Sequence, residues 1–296
     1  MTKSKRYLKN SVKLVLLFSL LFSFSNCTRK EPPYKRGEVE ERIIGAFKKD
    51  INIDVITKVT ADTLHIYIPL KEELLHVIRS SAPPKKDISF FYADCAYKED
   101  IFSIKYAAES IPLQKQFMEN VTYNLTEYAS NIMNKAYYLM QTALTDSKEH
   151  FDFFVVYMAD TKNGIEMILT IQETDLKNFF GMALPFAEFN QRVIRQIRGD
   201  RKIIGDATAR HIEFKGIEMK DFICDLVIQR LLYSNFESNK IDSIQEEILK
   251  IFYITVASYG FDEYEEVRLL DILNNTEELL FRYKIEEVYQ PLIREK

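Results

Sequence analysis

The 296-residue chain has no tryptophan, only eight glycines, eight prolines and three cysteines. Turns and breaks are built largely from glycine and proline, so their scarcity leaves room for few long flexible loops. No segment beyond residue 27 approaches the roughly 20 apolar residues needed to cross a bilayer. Familiar catalytic signatures are missing too. His-Glu-x-x-His, Cys-x-x-Cys, Gly-x-Ser-x-Gly and Ser-x-x-Lys do not occur, and Gly199 and Gly205 lack the lysine and hydroxyl residue of a phosphate loop. The four histidines, His65, His76, His150 and His211, contain no pair at local metal-ligand spacing. These absences favour a noncatalytic chain without cofactor or metal. An enzyme with a dispersed active site stays as an alternative, because catalytic residues often converge from distant segments.

Apolar residues make up 47% of the chain, which excludes a disordered protein. Removing residues 1–26 takes away five of the 40 basic residues and none of the 44 acidic ones, leaving a net charge near −9. A surface of that sign makes nucleic acid an unsuitable partner.

The positive charge that would be removed is concentrated at the start. Lys3, Lys5, Arg6, Lys9 and Lys13 precede an apolar run from Leu14 to Phe24, followed by Ser25, Asn26 and Cys27. A basic leader and an apolar stretch too short to span a membrane form an export signal. The stretch ending at the cysteine resembles the bacterial lipoprotein lipobox, in a relaxed form with Phe24 where leucine is commonest and Asn26 where glycine or alanine is usual. The resemblance covers the first 27 residues only. It implies that residues 1–26 are a lipoprotein signal peptide and that Cys27 becomes the acylated (palmitate-bearing) N-terminus. Thr28 in place of aspartate favours the outer membrane, with the protein facing the periplasm or the cell surface. Residues 27–37, with Pro32 and Pro33, then read as a tether whose reach is about 30 Å.

The remainder, residues 38–296, reads as a globular α+β region of repeated helix–hairpin units in which helices cover antiparallel sheet. A division into two subdomains, 38–117 and 118–296, is compatible with its length. Val39, Ile43, Ala46 and Phe47 share a helical face and lead into alternating strands around Ile53–Val59 and Leu64–Ile68. The same order recurs at Ala129–Ala143 with strands on either side of Asn163-Gly164, a strong hairpin signal, and again at Ile241–Thr255 with strands around Asn274-Asn275. Lys71–Ser80 reads as a short helix before Pro83 and Pro84, Ile88–Asp94 with Ile101–Ala107 as another hairpin, Asp175–Arg198 as a helix bent at Pro185, and Met219–Leu231 as a buried helix.

Candidate functional residues are few. His65 shares a strand face with Tyr67, pointing to solvent or a groove. His211 with Glu213 two residues on is a candidate acid–base pair if both lie on a strand. Arg192, Arg195 and Arg198 recur every three residues, and on a helix they lie opposite Phe186, Phe189, Val193 and Ile197. That makes them either the solvated face of an amphipathic helix or a site for an anion or partner; residues 237–287, with thirteen acids against five bases, are a conceivable match. Cys95 and Cys224 remain once Cys27 carries lipid. An even pair in an oxidising compartment suits one disulfide, whereas the apolar surroundings of Cys224 suit a small buried hydrophobe. The 21 phenylalanines and 17 tyrosines suit a core, or a pocket for an apolar ligand. The sequence therefore points to a lipid-anchored binding or scaffold protein of the cell envelope, held at the membrane through its N-terminal lipid and facing an envelope protein partner. The alternatives are a carrier of lipid or another apolar ligand and the dispersed-site enzyme.

Overall fold

The structure, a computed structural model, describes residues 36–80, 88–110, 120–146, 150–234 and 243–281. Cys27, the signal segment 1–26 and most of the tether lie outside the described residues. The first helix, α1 (Arg36–Ile51), starts just inside the segment read as tether. Val39, Ile43 and Phe47, four residues apart, form its buried stripe. It leads into the hairpin β1 (Ile56–Thr60) and β2 (Thr63–Leu70). After β3 (Leu75–Ser80) comes a second hairpin, β4 (Ile88–Lys98) and β5 (Ile101–Ser110), then β6 (Asn120–Leu125), α2 (Glu127–Asp146) and the hairpin β7 (Phe153–Asp160) and β8 (Ile165–Gln172). The helices α3 (Glu173–Phe180) and α4 (Phe186–Arg192) precede β9 (Ile194–Gly199). The chain ends with α5 (Met219–Tyr233), α6 (Ile244–Ser258) and the hairpin β10 (Glu266–Asp271) and β11 (Thr276–Phe281).

The strands form an α+β fold with a five-stranded sheet (β1-β2-β7-β8-β9), a four-stranded sheet (β11-β10-β5-β4) and a two-stranded ribbon (β3-β6). Neither large sheet is purely antiparallel, contrary to the expectation from sequence. Each joins two hairpins through a parallel pair at its centre, β2 with β7 and β5 with β10. Alternation within a hairpin reveals antiparallel neighbours; pairing between hairpins far apart in sequence leaves no local mark. Both parallel pairs join a strand from before residue 117 to one from after it, so no cut between 117 and 118 separates the sheets. The three helix–hairpin segments are likewise shared between two sheets instead of stacking one on the next.

The turns follow from side-chain chemistry. Asp160 closes the β7–β8 turn by accepting the N–H groups of Lys162 and Asn163 and the Asn163 side-chain amide, while Gly164 takes a positive φ of 72° that suits glycine. Asp271 repeats this at β10–β11 with the N–H groups of Leu273 and Asn274 and the Asn274 amide.

Two expected helices are corrected. Lys71–Ser80 contains β3, because Leu75 to Ser80 pair in register with β6. The bent helix 175–198 is α3, α4 and then a strand: β-branched Val193, Ile194 and Ile197 favour extended backbone, and β8 offers an edge on which β9 pairs from Ile194 to Gly199.

Leu64, Ile66, Phe154, Val156, Met158 and Leu169 face α1 and α2 across the main core. A second core packs Phe102, Ile104, Val267 and Leu269 of the four-stranded sheet against α5 and α6. Helix α5 joins the first sheet to this second core. Phe222 and Leu226 meet Phe153 and Ile194 of the first sheet, whereas Ile223, Cys224, Val227 and Leu231 meet the second core. Apolar residues on several sides of a helix bury it against more than one neighbour, as its sequence suggested; Asp221 and Asp225 mark the side left to solvent. Among the described residues no helix is long and apolar enough to cross a membrane.

Candidate functional site

On the five-stranded sheet, the face away from α1 and α2 carries His65 and Tyr67 from β2, Val155, Tyr157 and Ala159 from β7, and Glu166 and Ile168 from β8. Residues 200–217 lie across this face as a strap. Apart from a short 3-10 turn, Arg201–Ile203, the strap is irregular. Ile203 and Ala209 pack on Tyr67, Val155 and Tyr157, with Ile212, Phe214 and Ile217 beside them. Gly216 permits its close passage: a Cβ there would come within 2.8 Å of the Ala61 Cβ. Just beyond it, Ile217 N–H donates to Thr63 Oγ1 at 3.0 Å.

A carboxylate within an apolar strand must find cationic or hydrogen-bonding partners, and Glu166 is fully buried. Its Oε2 accepts from Arg198, directly opposite on β9, with Nε at 2.8 Å and Nη2 at 2.6 Å. Its Oε1 lies 3.0 Å from His211 Nε2 of the strap. The other ring nitrogen of His211 lies 2.7 Å from Asp206 Oδ2. Asp206 also accepts the N–H groups of Thr208 and His211 and the Thr208 hydroxyl, and the Tyr67 hydroxyl donates to its carbonyl. Burial opposes the Asp206 charge, yet the bonds from His211 and Thr208 hold this carboxyl well below the usual range. Burial, reinforced by Asp206 and Glu166, raises the Tyr67 phenol.

Both nitrogens of His211 therefore face carboxylate oxygens of the chain, and both oxygens of Glu166 face cationic side chains or histidine. This arrangement fastens the strap to the sheet; His211 could exchange a proton with an outside molecule only after one of these contacts broke. A cleft of about 530 Å³ opens beside it, lined by Lys202, Gly205, Asp206, Thr208, Arg210 and His211 among others. Among the described residues no group of three or more His, Cys, Asp or Glu side chains is arranged to hold a metal.

Several expected roles change. His211 does not pair with Glu213: neither residue lies on a strand, and Glu213 is exposed beside Lys215. The partner, Glu166, is 45 positions away. Its signal was visible as the lone charge in the otherwise apolar and neutral strand 165–172. His65 and Tyr67 do share a face, but the strap covers it and both are buried.

The three arginines do not form one wet helical face. Arg192 ends α4, and its Nη1 lies 2.9 Å from the buried Asp175 Oδ1. Arg195 and Arg198 follow on β9, where their cross-strand partners are Leu169 and Glu166. The sheet alternation turns these two to opposite faces. Arg195 reaches the Asn190 carbonyl and side chain. Asp175 also accepts from Tyr259 Oη at 2.6 Å, so this second buried cluster ties α3 and α4 to the segment after α6. Burial opposes the Arg192 charge, but Asp175 and Glu188 raise its pKa above the ordinary value.

The aromatic residues pack mainly on one another. Phe102 meets Tyr97, Phe252, Phe261 and Tyr264 edge to face at centroid distances of 4.8–5.9 Å, and Phe179 stacks on Phe189 at 4.4 Å.

His65 leads to a pH prediction. It packs against Tyr157 and Phe214, and burial, with Lys58 adding to it, pushes its pKa from 6.5 down to about 4. The unfolded chain therefore takes up a proton that the folded one refuses. Stability is whole above pH 6.5 and should fall as pH drops towards about 4, by about 3 kcal/mol in total. Denaturant unfolding across this interval should show the loss in the parent and a flatter profile in His65→Phe; parallel profiles would remove His65 as the cause.

No protein-family model, curated protein or solved structure matches this chain.

Proposed function

We propose that the protein is exported, acylated at Cys27 and held at the membrane as a noncatalytic binding or scaffold protein of the cell envelope. The observation that carries this reading is the order of basic leader, short apolar run and Cys27. One acyl chain holds a protein only marginally, whereas several make the attachment effectively permanent. Only residues 28–35 separate Cys27 from α1, so the folded region stays within about 30 Å of the bilayer. Arg29, Lys30, Lys35 and Arg36 place positive charge where it would meet anionic headgroups. The closed bonding of Glu166, His211 and Asp206 supports a structural role for the most enzyme-like cluster in the chain.

Cys27→Ala should abolish labelling by a fatty-acid analogue and move the protein from the membrane to the soluble fraction. Unchanged labelling and sedimentation with membranes would overturn the anchor.

A further inference from the structure

We propose that Cys95 and Cys224 form a disulfide in the exported protein, a covalent tie between the edge strand of the four-stranded sheet and the central helix α5. The inference rests on the export half of the proposed function. The chain has three cysteines; with Cys27 taken by the anchor, the other two face each other, one from β4 and one from α5. They are thiols in the structure, with Sγ atoms 2.6 Å apart although 129 positions separate them in sequence. Cys224 is buried within the second core and Cys95 packs against it. Two thiols of one chain held together in this way need no backbone rearrangement to meet, and an oxidising compartment favours their bond.

Contact with Cys224, together with burial, raises the Cys95 thiol well above its usual pKa. Folded Cys95 is therefore a poor source of the thiolate on which exchange depends. Oxidation accordingly belongs to the time after translocation and before packing is complete. One cysteine thiolate attacks the disulfide of an envelope thiol oxidoreductase, giving a mixed disulfide and one released oxidoreductase thiol. The second cysteine thiolate then attacks the mixed disulfide. Two protons leave the cysteines, and the two electrons depart with the oxidoreductase, which is released as a dithiol. The bond closes a loop containing β5 to β9 and so restricts the unfolded chain strongly. In the chain-entropy account, a loop of this length raises the melting temperature of a protein of this size by about 10 °C.

The test takes full-length protein from its own membranes, denatures it in acid, blocks free thiols with N-ethylmaleimide and digests it without reductant. The expected product is a linked peptide pair containing Cys95 and Cys224, with maleimide on neither and separation on reduction. Maleimide on both, in protein whose Cys27 carries acyl chains, overturns the disulfide and leaves the anchor standing. Maleimide on both in protein that retains residues 1–26 overturns export and the disulfide with it. Reducing the wild-type protein should lower its melting temperature by about 10 °C, and Cys224→Ala should melt low with or without reductant. An unchanged melting temperature on reduction overturns the stabilising tie even where Cys224→Ala fails to fold.

Discussion

Glu166→Ala is expected to destabilise the protein by about 2–4 kcal/mol, the cost of a buried ring nitrogen left without its acceptor together with the cavity that opens. Glu166 has no exposed surface, and it receives His211 on one oxygen and Arg198 on the other. Loss of the carboxylate leaves both facing a hole. The His211 side chain is only 4% exposed, whereas that of Arg198 is 45% exposed, so water screens the arginine and most of the penalty falls on the histidine. Glu166→Gln keeps the volume and one acceptor and should lose about half as much. Urea unfolding measures the stability, and amide exchange in residues 200–217 should accelerate along with it. A loss below about 1 kcal/mol from the alanine change would mean that the strap is held by its apolar contacts alone.

The second large effect separates the arginines. Arg192→Ala should destabilise by about 3 kcal/mol, because it leaves the buried Asp175 with the Tyr259 hydroxyl and, as its remaining cation, only the unbonded charge of Arg230. Arg195→Ala should lose about 1 kcal/mol, since its bonds to Asn190 are exposed and only its interaction with the Tyr137 hydroxyl is buried. Equal effects in thermal unfolding would restore the picture of three equivalent arginines on one surface.

The contrast shows what local pattern carries. Helix α5 was legible because Met219, Phe222, Ile223, Leu226, Val227 and Leu231 recur at helical spacing. The β7–β8 and β10–β11 turns were legible in Asn163-Gly164 and Asn274-Asn275, although the Asp160 and Asp271 carboxylates that close them were not singled out. Spacing of three suggested one helical face for Arg192, Arg195 and Arg198. That spacing lost its meaning when the open edge of β8 turned residues 194–199 into a strand and sent Arg195 and Arg198 to opposite sides. Glu166 and His211 meet only because the strap crosses the sheet, and the parallel pairs β2 with β7 and β5 with β10 likewise depend on long-range closure. That His65 and Tyr67 share one strand face followed from alternation, but the solvent exposure expected of that face did not hold; the strap that buries it has no periodic signature of its own.

The central claim is the lipid anchor, and the N-terminal peptide of the protein isolated from its own membranes tests it most directly. Mass spectrometry should find a peptide that begins at Cys27 and carries acyl chains, with residues 1–26 absent. A peptide that begins elsewhere, or an unmodified Cys27, would contradict the account.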